Sequence, residues 1–255
     1  TWSTIIKISG DIMNIERKTF TTGKPGQRQS AELNSSFNIN EALENTRKRM
    51  GQFFKGNQIL GRKGTIGCVS LEITQRCNLD CSLCYLSESS ALVTDMPIEE
   101  LYRRLDEIIN IYGAGTNVQI SGGDPTLRDR GELLAIVRYA RKIGLHPALF
   151  TNGKKCSREL LEELSEAGLS DVAFHVDLTQ NLKGYETEAD LNKLRSELIE
   201  RARGLPLLVI FNTTVHESNF KEIPAVVEFF IKNSDVVGMA SFQLQADTGR
   251  GVLHQ

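Results

Sequence analysis

The chain has 255 residues, with 30 Lys and Arg against 32 Asp and Glu, and a formal net charge of −2. Hydrophobic residues make up 40% and charged residues 24%, the proportions of a soluble globular chain able to bury one large α/β core or two small ones. The near-neutral charge argues against nonspecific binding of nucleic acid or anionic membrane. No run approaches the roughly 18 apolar residues of a membrane span, and no signal-peptide pattern opens the chain.

Residues 1–39 are read as an N-terminal arm or linker, because 21–39 are rich in Ser, Gly, Gln and Asn. Residues 40–66 are read as a flanking helix and connection. Asn40 is placed to cap a helix carrying Ala42, Leu43, Met50, Phe53 and Phe54, and Gly56 to end it. Residues 67–255 are read as the core domain. The chain does not begin with Met and is expected to be a fragment, with a truncated C-terminus.

From residue 68, short apolar runs alternate with amphipathic segments. The expected strands are 68–74, 117–121, 146–151, 171–177, 207–213 and 238–245, enriched in β-branched and aromatic residues. Helices are expected over 97–112, 130–143, 157–167, 187–203 and 220–233, where apolar residues recur at helical spacing. Leu101, Leu105 and Ile108 illustrate it in the first, and Leu160, Leu161 and Leu164 in the third, behind a Ser157 cap. This alternation implies βαβ units and a parallel α/β sheet, either open and doubly wound or a partial barrel. In both, functional groups gather beyond the C-terminal ends of the strands.

Five cysteines are present: Cys68, Cys77, Cys81, Cys84 and Cys156. Three fall in the loop after the first strand with the spacing C-x-x-x-C-x-x-C. Clustered cysteines without a signal peptide point to a reducing, cytoplasmic setting and to metal rather than disulfides. Three thiolates can hold three corners of an iron–sulfur cube and leave one iron without a protein ligand. A structural zinc site would want a fourth ligand, and no second C-x-x-C or nearby His supplies one. A C-x-x-C redox pair formed by Cys81 and Cys84 would leave Cys77 unexplained. Cys68 is expected to pack as a small core residue. Cys156, after the turn that follows the third strand, is considered for a second redox site, although one cysteine cannot hold a cluster.

The cysteine loop resembles the signature of the radical S-adenosylmethionine (radical SAM) superfamily, and Tyr85, directly after Cys84, fits its aromatic flank. Ser121-Gly122-Gly123-Asp124-Pro125 after the second strand resembles that family's GGEP motif, with Asp124 where Glu is usual. The resemblance implies a partial (β/α)6 TIM-like barrel. It implies a [4Fe–4S] cluster on Cys77, Cys81 and Cys84, and S-adenosylmethionine on the open iron. Cofactor contacts are then expected from Tyr85, Gly122, Gly123, Asp124 and Pro125. Others are expected from Asn152 in a Thr-Asn-Gly turn, Asp177 after the fourth strand, and Gln243 on the sixth.

His175, Asp177 and Thr179 are expected to alternate on one strand face. His175 is open to two readings, a substrate-side group or a core histidine. Asn212, Thr213 and Thr214 end the fifth strand as a polar wall, Gln245 repeats Gln243 at a spacing of two, and Asp247–Gly251 read as a helix start in preference to a turn holding Arg250 near a substrate carboxylate or phosphate. The implied activity is reductive cleavage of S-adenosylmethionine to a 5′-deoxyadenosyl radical that abstracts hydrogen from an organic substrate. An external electron donor such as flavodoxin or ferredoxin would serve it. The alternative is a noncatalytic iron–sulfur or metal-binding electron carrier. The cysteine-rich C-terminal extensions of the family's peptide-modifying branch do not fall within residues 1–255, and the expected missing C-terminus is where one would lie.

Overall fold

A computed structural model describes residues 4–6, 48, 68–86 and 88–245. The expected 40–56 helix lies outside these residues apart from Lys48, which is helical, and the 247–251 turn lies outside them altogether. Strands and helices alternate as β1 (Thr4–Ile6), β2 (Cys68–Thr74), α1 (Ile98–Tyr112), β3 (Asn117–Gly122), α2 (Arg130–Lys142), β4 (His146–Thr151), α3 (Arg158–Glu166), β5 (Asp171–His175), α4 (Asn192–Ala202), β6 (Leu208–Val215), α5 (Ile223–Lys232) and β7 (Val237–Leu244). Within the segment read as a loose arm, β1 is an addition, pairing antiparallel with β7.

The sheet order is β1-β7-β6-β5-β4-β3-β2, and β2 to β7 are parallel. Each parallel strand lies beside its predecessor, so the order never reverses and no doubly wound switch point exists. This is the progression of a partial (β/α)6 barrel. Among the described residues β2 pairs with β3 alone, so the sheet stays open at that edge.

Strand periodicity divides the sheet into two faces. One carries Leu71, Ile73, Val118, Ile120, Leu149, Val172, Phe174, Val209 and Phe211, buried in one core with Leu105, Ile136, Leu161 and Leu198 of the helices. The alternate residues form a mostly polar, less buried face that includes Glu72, Gln119, Ser121, His175, Asn212, Thr214 and Ser241. In register, Asn212 lies between His175 and Ser241.

The helices begin where local chemistry dictates. Asp129 accepts from Glu132 N at 3.0 Å to cap α2, and Ser157 accepts from Leu160 N at 3.2 Å to cap α3. Cys156 is fully buried in the core, and burial pushes its thiol up to about 12. Cys68 corrects the expectation of a core residue: it opens the edge strand β2 and is exposed. Inward burial on that strand begins only at Leu71.

Asp171 opens β5 at the end of the sheet away from the cysteines, and Asn117 Nδ2 donates to it at 2.8 Å. Burial pushes its carboxyl up to about 6, against the lowering effects of Asn117 and Arg141. The folded pKa exceeds the unfolded one. The contribution to stability is therefore full below about pH 4 and lost as pH rises through about 6. Asp171→Asn should stabilise the fold by about 1–2 kcal/mol at pH 7.5 and give no gain at pH 4, as measured by urea unfolding at both pH values.

Candidate functional site

The loop from Thr74 to Tyr85 carries Cys77, Cys81 and Cys84, all half-buried. It has no regular secondary structure, so its shape comes from what the neighbouring strand ends impose. Three strands hold it.

The first hold comes from β3. Gly123 N donates to Thr74 O at 2.9 Å, and Asp124 N donates to Arg76 O at 2.8 Å. Both glycines are required by this approach. A Cβ on Gly122 would stand 1.8 Å from Thr74 O, and one on Gly123 2.1 Å from Arg76 O. Gly122 also has φ +130°, a conformation only glycine adopts readily. The pair brings two stretches of protein backbone together, a demand additional to the ligand approach expected from sequence. Tyr85 Oη donates to Gly122 O at 3.0 Å, closing the far end of the loop on the same strand.

The second hold comes from β4. Asn152 Nδ2 donates to Asn78 Oδ1 at 2.7 Å and lies 3.8 Å from Cys77 Sγ. Asn152 Oδ1 accepts from Lys154 N at 3.0 Å, which fixes the amide's orientation. The third hold crosses to β5, where Thr179 O accepts from Ser82 N at 2.8 Å. Ser82 lies between Cys81 and Cys84, so this bond sets the second half of the motif.

Two buried carboxylates organise these holds in the same way. Asp124 accepts from Thr126 N at 3.0 Å and Thr126 Oγ1 at 2.5 Å. It also reaches β4, accepting from Thr151 Oγ1 at 2.8 Å and Asn152 N at 2.9 Å. Asp177 accepts from Thr179 N at 2.9 Å and Thr179 Oγ1 at 2.5 Å, and reaches β6, accepting from Thr214 N at 2.6 Å. Each caps a short 3-10 turn, Pro125–Leu127 or Leu178–Gln180, and buried Pro125 opens the first. The repeated Asp-x-Thr at 124–126 and 177–179 was the sequence signal for this device, and composition-based reading passes over it. Asn78, Ser82 and Thr126 are the residues that reading missed, and Thr179 was expected on a strand face rather than in a turn.

The expected alternation of His175, Asp177 and Thr179 along a strand is not what forms. β5 ends at His175, and Asp177 takes the Thr179 amide, curling the chain into the 3-10 turn. His175 Nε2 pairs with Asp177 Oδ2 at 2.7 Å. Burial works against charge on His175, but Asp177, helped by Glu188, more than offsets it and raises the pKa above the ordinary value. Asp177 is itself held well below the carboxylate range by His175 and its other donors, against its burial. Gln243 is exposed near the end of β7, paired in register with Thr214, and no described side chain bonds to it.

Burial raises the Cys77 thiol, and burial with Cys77 and Cys84 nearby pushes Cys81 up to about 12. A reactive C-x-x-C thiol needs the opposite shift. Thiols raised in this way shed their protons only to a strongly positive group, which suits the donor set of an iron–sulfur cluster. Among the described residues no three His, Cys, Asp or Glu side chains are grouped to hold a single metal ion.

Two tests follow from this geometry. Gly123→Ala should separate β2 from β3 at the rim, costing about 2–4 kcal/mol in thermal or urea unfolding. Asp177→Asn should lower the His175 pKa, because the principal charge that favours the imidazolium is removed while Glu188 remains; an NMR titration of the imidazole reads this directly.

Residues 71–230 match the family model described as the radical SAM superfamily. The chain is 28% identical over 231 residues to the 7,8-dihydro-6-hydroxymethylpterin dimethyltransferase of Methanocaldococcus jannaschii, covering 86% of this chain and 45% of that protein. It is 29% identical over 182 residues to the PqqA peptide cyclase of Bradyrhizobium diazoefficiens, covering 69% of this chain and 46% of that one. The chain thus spans just under half the length of these curated relatives. Both are enzymes, which weighs against the electron-carrier alternative. Streptococcus suis SuiB, solved bound to its precursor peptide SuiA, shares the fold with a TM-score of 0.56 at 18% identity, covering 86% of this chain and 48% of SuiB. The structure of anSMEcpe with bound AdoMet superposes with a TM-score of 0.55 at 19% identity, covering 70% of this chain and 52% of that one.

Proposed function

The chain belongs to the radical SAM superfamily, and from that premise we propose that it cleaves S-adenosylmethionine reductively at a [4Fe–4S] cluster and acts on an organic substrate. The observation that carries this reading is the cysteine loop itself: three half-buried thiols, fastened by three different strand ends. Cys77, Cys81 and Cys84 would hold the cluster. When bound, the cluster and S-adenosylmethionine supply one-electron cleavage of the sulfonium and the hydrogen abstraction that follows.

The chain's own residues contribute position and enclosure. Gly122, Gly123 and Pro125 form the rim beside the cysteine loop, so the cofactor's amino acid end would lie along their backbone. Asp124 contributes indirectly, since its carboxylate is committed to Thr126, Thr151 and Asn152. Asn152 keeps an amide donor beside Cys77, and Tyr85 anchors the loop's end at Gly122. Asp177 orients His175 on the polar face of the sheet, where Gln243, two strands along on β7, would meet the nucleoside end. An external flavodoxin or ferredoxin would supply the electron, in the cytoplasm. Among the described residues no helix is long and apolar enough to cross a membrane.

Anaerobic reconstitution with iron and sulfide should give charge-transfer absorbance near about 400 nm. Dithionite and S-adenosylmethionine should then give 5′-deoxyadenosine, measured chromatographically. Cys77→Ala, Cys81→Ala and Cys84→Ala should each reduce that product at least about 100-fold, while Cys156→Ala keeps it. A fully loaded cluster with no 5′-deoxyadenosine would leave the electron-carrier reading standing instead.

A further inference from the structure

One ion pair among the described residues is fully buried on both sides, and it lies outside the rim. Glu188 and Arg195 pair with both side chains at 0% exposure, Arg195 on α4 and Glu188 in the connection before it. The Arg195 guanidinium lies 5.8 Å from the centre of the Phe230 ring. A pair this dry is weak evidence for stability, because removing two charges from water costs about what their attraction returns. Its contacts suggest another role.

Arg195 NH2 donates to Val176 O at 3.0 Å, and Glu188 Oε1 accepts from Leu178 N at 3.2 Å. The pair therefore grips the residues on either side of Asp177. Glu188 Oε1 also accepts from Asn219 Nδ2 at 2.7 Å, and that same amide donates to Thr214 O at 2.8 Å. Thr214 N donates to Asp177. A closed ring of hydrogen bonds results, running Asp177, Thr214, Asn219, Glu188, Leu178 and back. The turn enclosed by this ring presents Thr179 O to Ser82 N.

We infer that Glu188 and Arg195 are positioning residues for the cysteine loop, holding the turn that fixes Ser82 between Cys81 and Cys84. The inference rests on the proposed cluster, since it concerns where the ring places two of its three ligands. Neither residue touches the loop. Both act through the Thr179 carbonyl. Asn219 is the ring's link to β6 and shares the role in weaker form.

The test uses the reconstituted full chain. The double variant Glu188→Leu with Arg195→Met removes both charges and keeps the volume apolar, so it retains a packed core. Asn219→Ala removes one neutral donor and leaves the ion pair in place. Ile136→Ala, in α2 on another part of the core, serves as a control for lost stability. Three quantities are read: the melting temperature of the cluster-free protein, the rate of iron loss to a chelator, and the electron paramagnetic resonance spectrum of the dithionite-reduced cluster. The double variant should lose iron at least about tenfold faster than wild type with an altered spectrum, as partners just beyond the ligands do in metal sites. Asn219→Ala should show a smaller change in the same direction, and Ile136→Ala should keep the wild-type rate and spectrum despite a lower melting temperature. Wild-type iron retention and spectrum in both the double variant and Asn219→Ala would overturn the inference and leave the proposed function intact. The same holds if iron loss in all variants merely follows melting temperature. A wild-type protein that takes up no cluster would overturn both.

Discussion

Two buried aspartates, Asp124 and Asp177, set the shape of a loop that cannot shape itself. The stretch from Thr74 to Tyr85 offers little apolar surface and no backbone ladder of its own. Hydrogen bonds from neighbouring strand ends must therefore define it. Those ends are themselves irregular and need something to fix them. A carboxylate out of water is costly unless its oxygens are well supplied with donors. That requirement makes each aspartate a strict local template. Asp124 binds the turn after β3 to the end of β4, and Asp177 binds the turn after β5 to the end of β6.

The sheet makes this arrangement possible. Because the strand order runs without reversal from β2 to β7, every strand end faces the same rim beside its sequence neighbour. The parity of a residue along its strand decides its environment. Phe174 and Phe211 point to the helices and stack toward Phe230, while His175 and Asn212, one position on, belong to the polar face. The helix-facing core supplies most of the hydrophobic stabilisation. The rim adds positive-φ glycine, dry carboxylates and crowded thiols, each of which costs free energy. The packed core and the strained rim are thus separated by the thickness of one sheet. Substitutions such as Ile136→Ala act on the first, and changes at the Asp-x-Thr turns on the second.

The parallel α/β pattern, the strand positions and the cysteine spacing were legible in the sequence, because each depends on short-range regularities. Residues 68–74 form β2 as expected, since its β-branched and apolar residues alternate with polar ones. What escaped reading depends on partners distant in the chain. Ser82 meets Thr179 across 97 residues, and nothing local in Ser-Leu or Leu-Thr-Gln announces that meeting. The Gly122–Gly123 pair was recognised, but its closest neighbours are Thr74 and Arg76, at and just beyond the end of a strand whose register the sequence does not state. His175, Asp177 and Thr179 had strand-like spacing, yet a side-chain carboxylate competed successfully for the backbone amide. Cys68 looked like a core residue by type, but its place at the start of an edge strand leaves it exposed.

The turns also account for the aspartate at 124, where the resembled motif has a glutamate. An aspartate carboxylate sits close enough to its own backbone to accept from the amide two residues on, the geometry that Asn and Asp adopt in turns. From there Asp124 also meets Thr126 Oγ1, Thr151 Oγ1 and Asn152 N. The matching turn at Asp177 is closed by the same acid and the same threonine spacing. A longer acid would have to fold back to reach the amide at 126, giving up its reach to β4. The shorter side chain is therefore suited to a carboxylate whose work is internal, joining two strand ends.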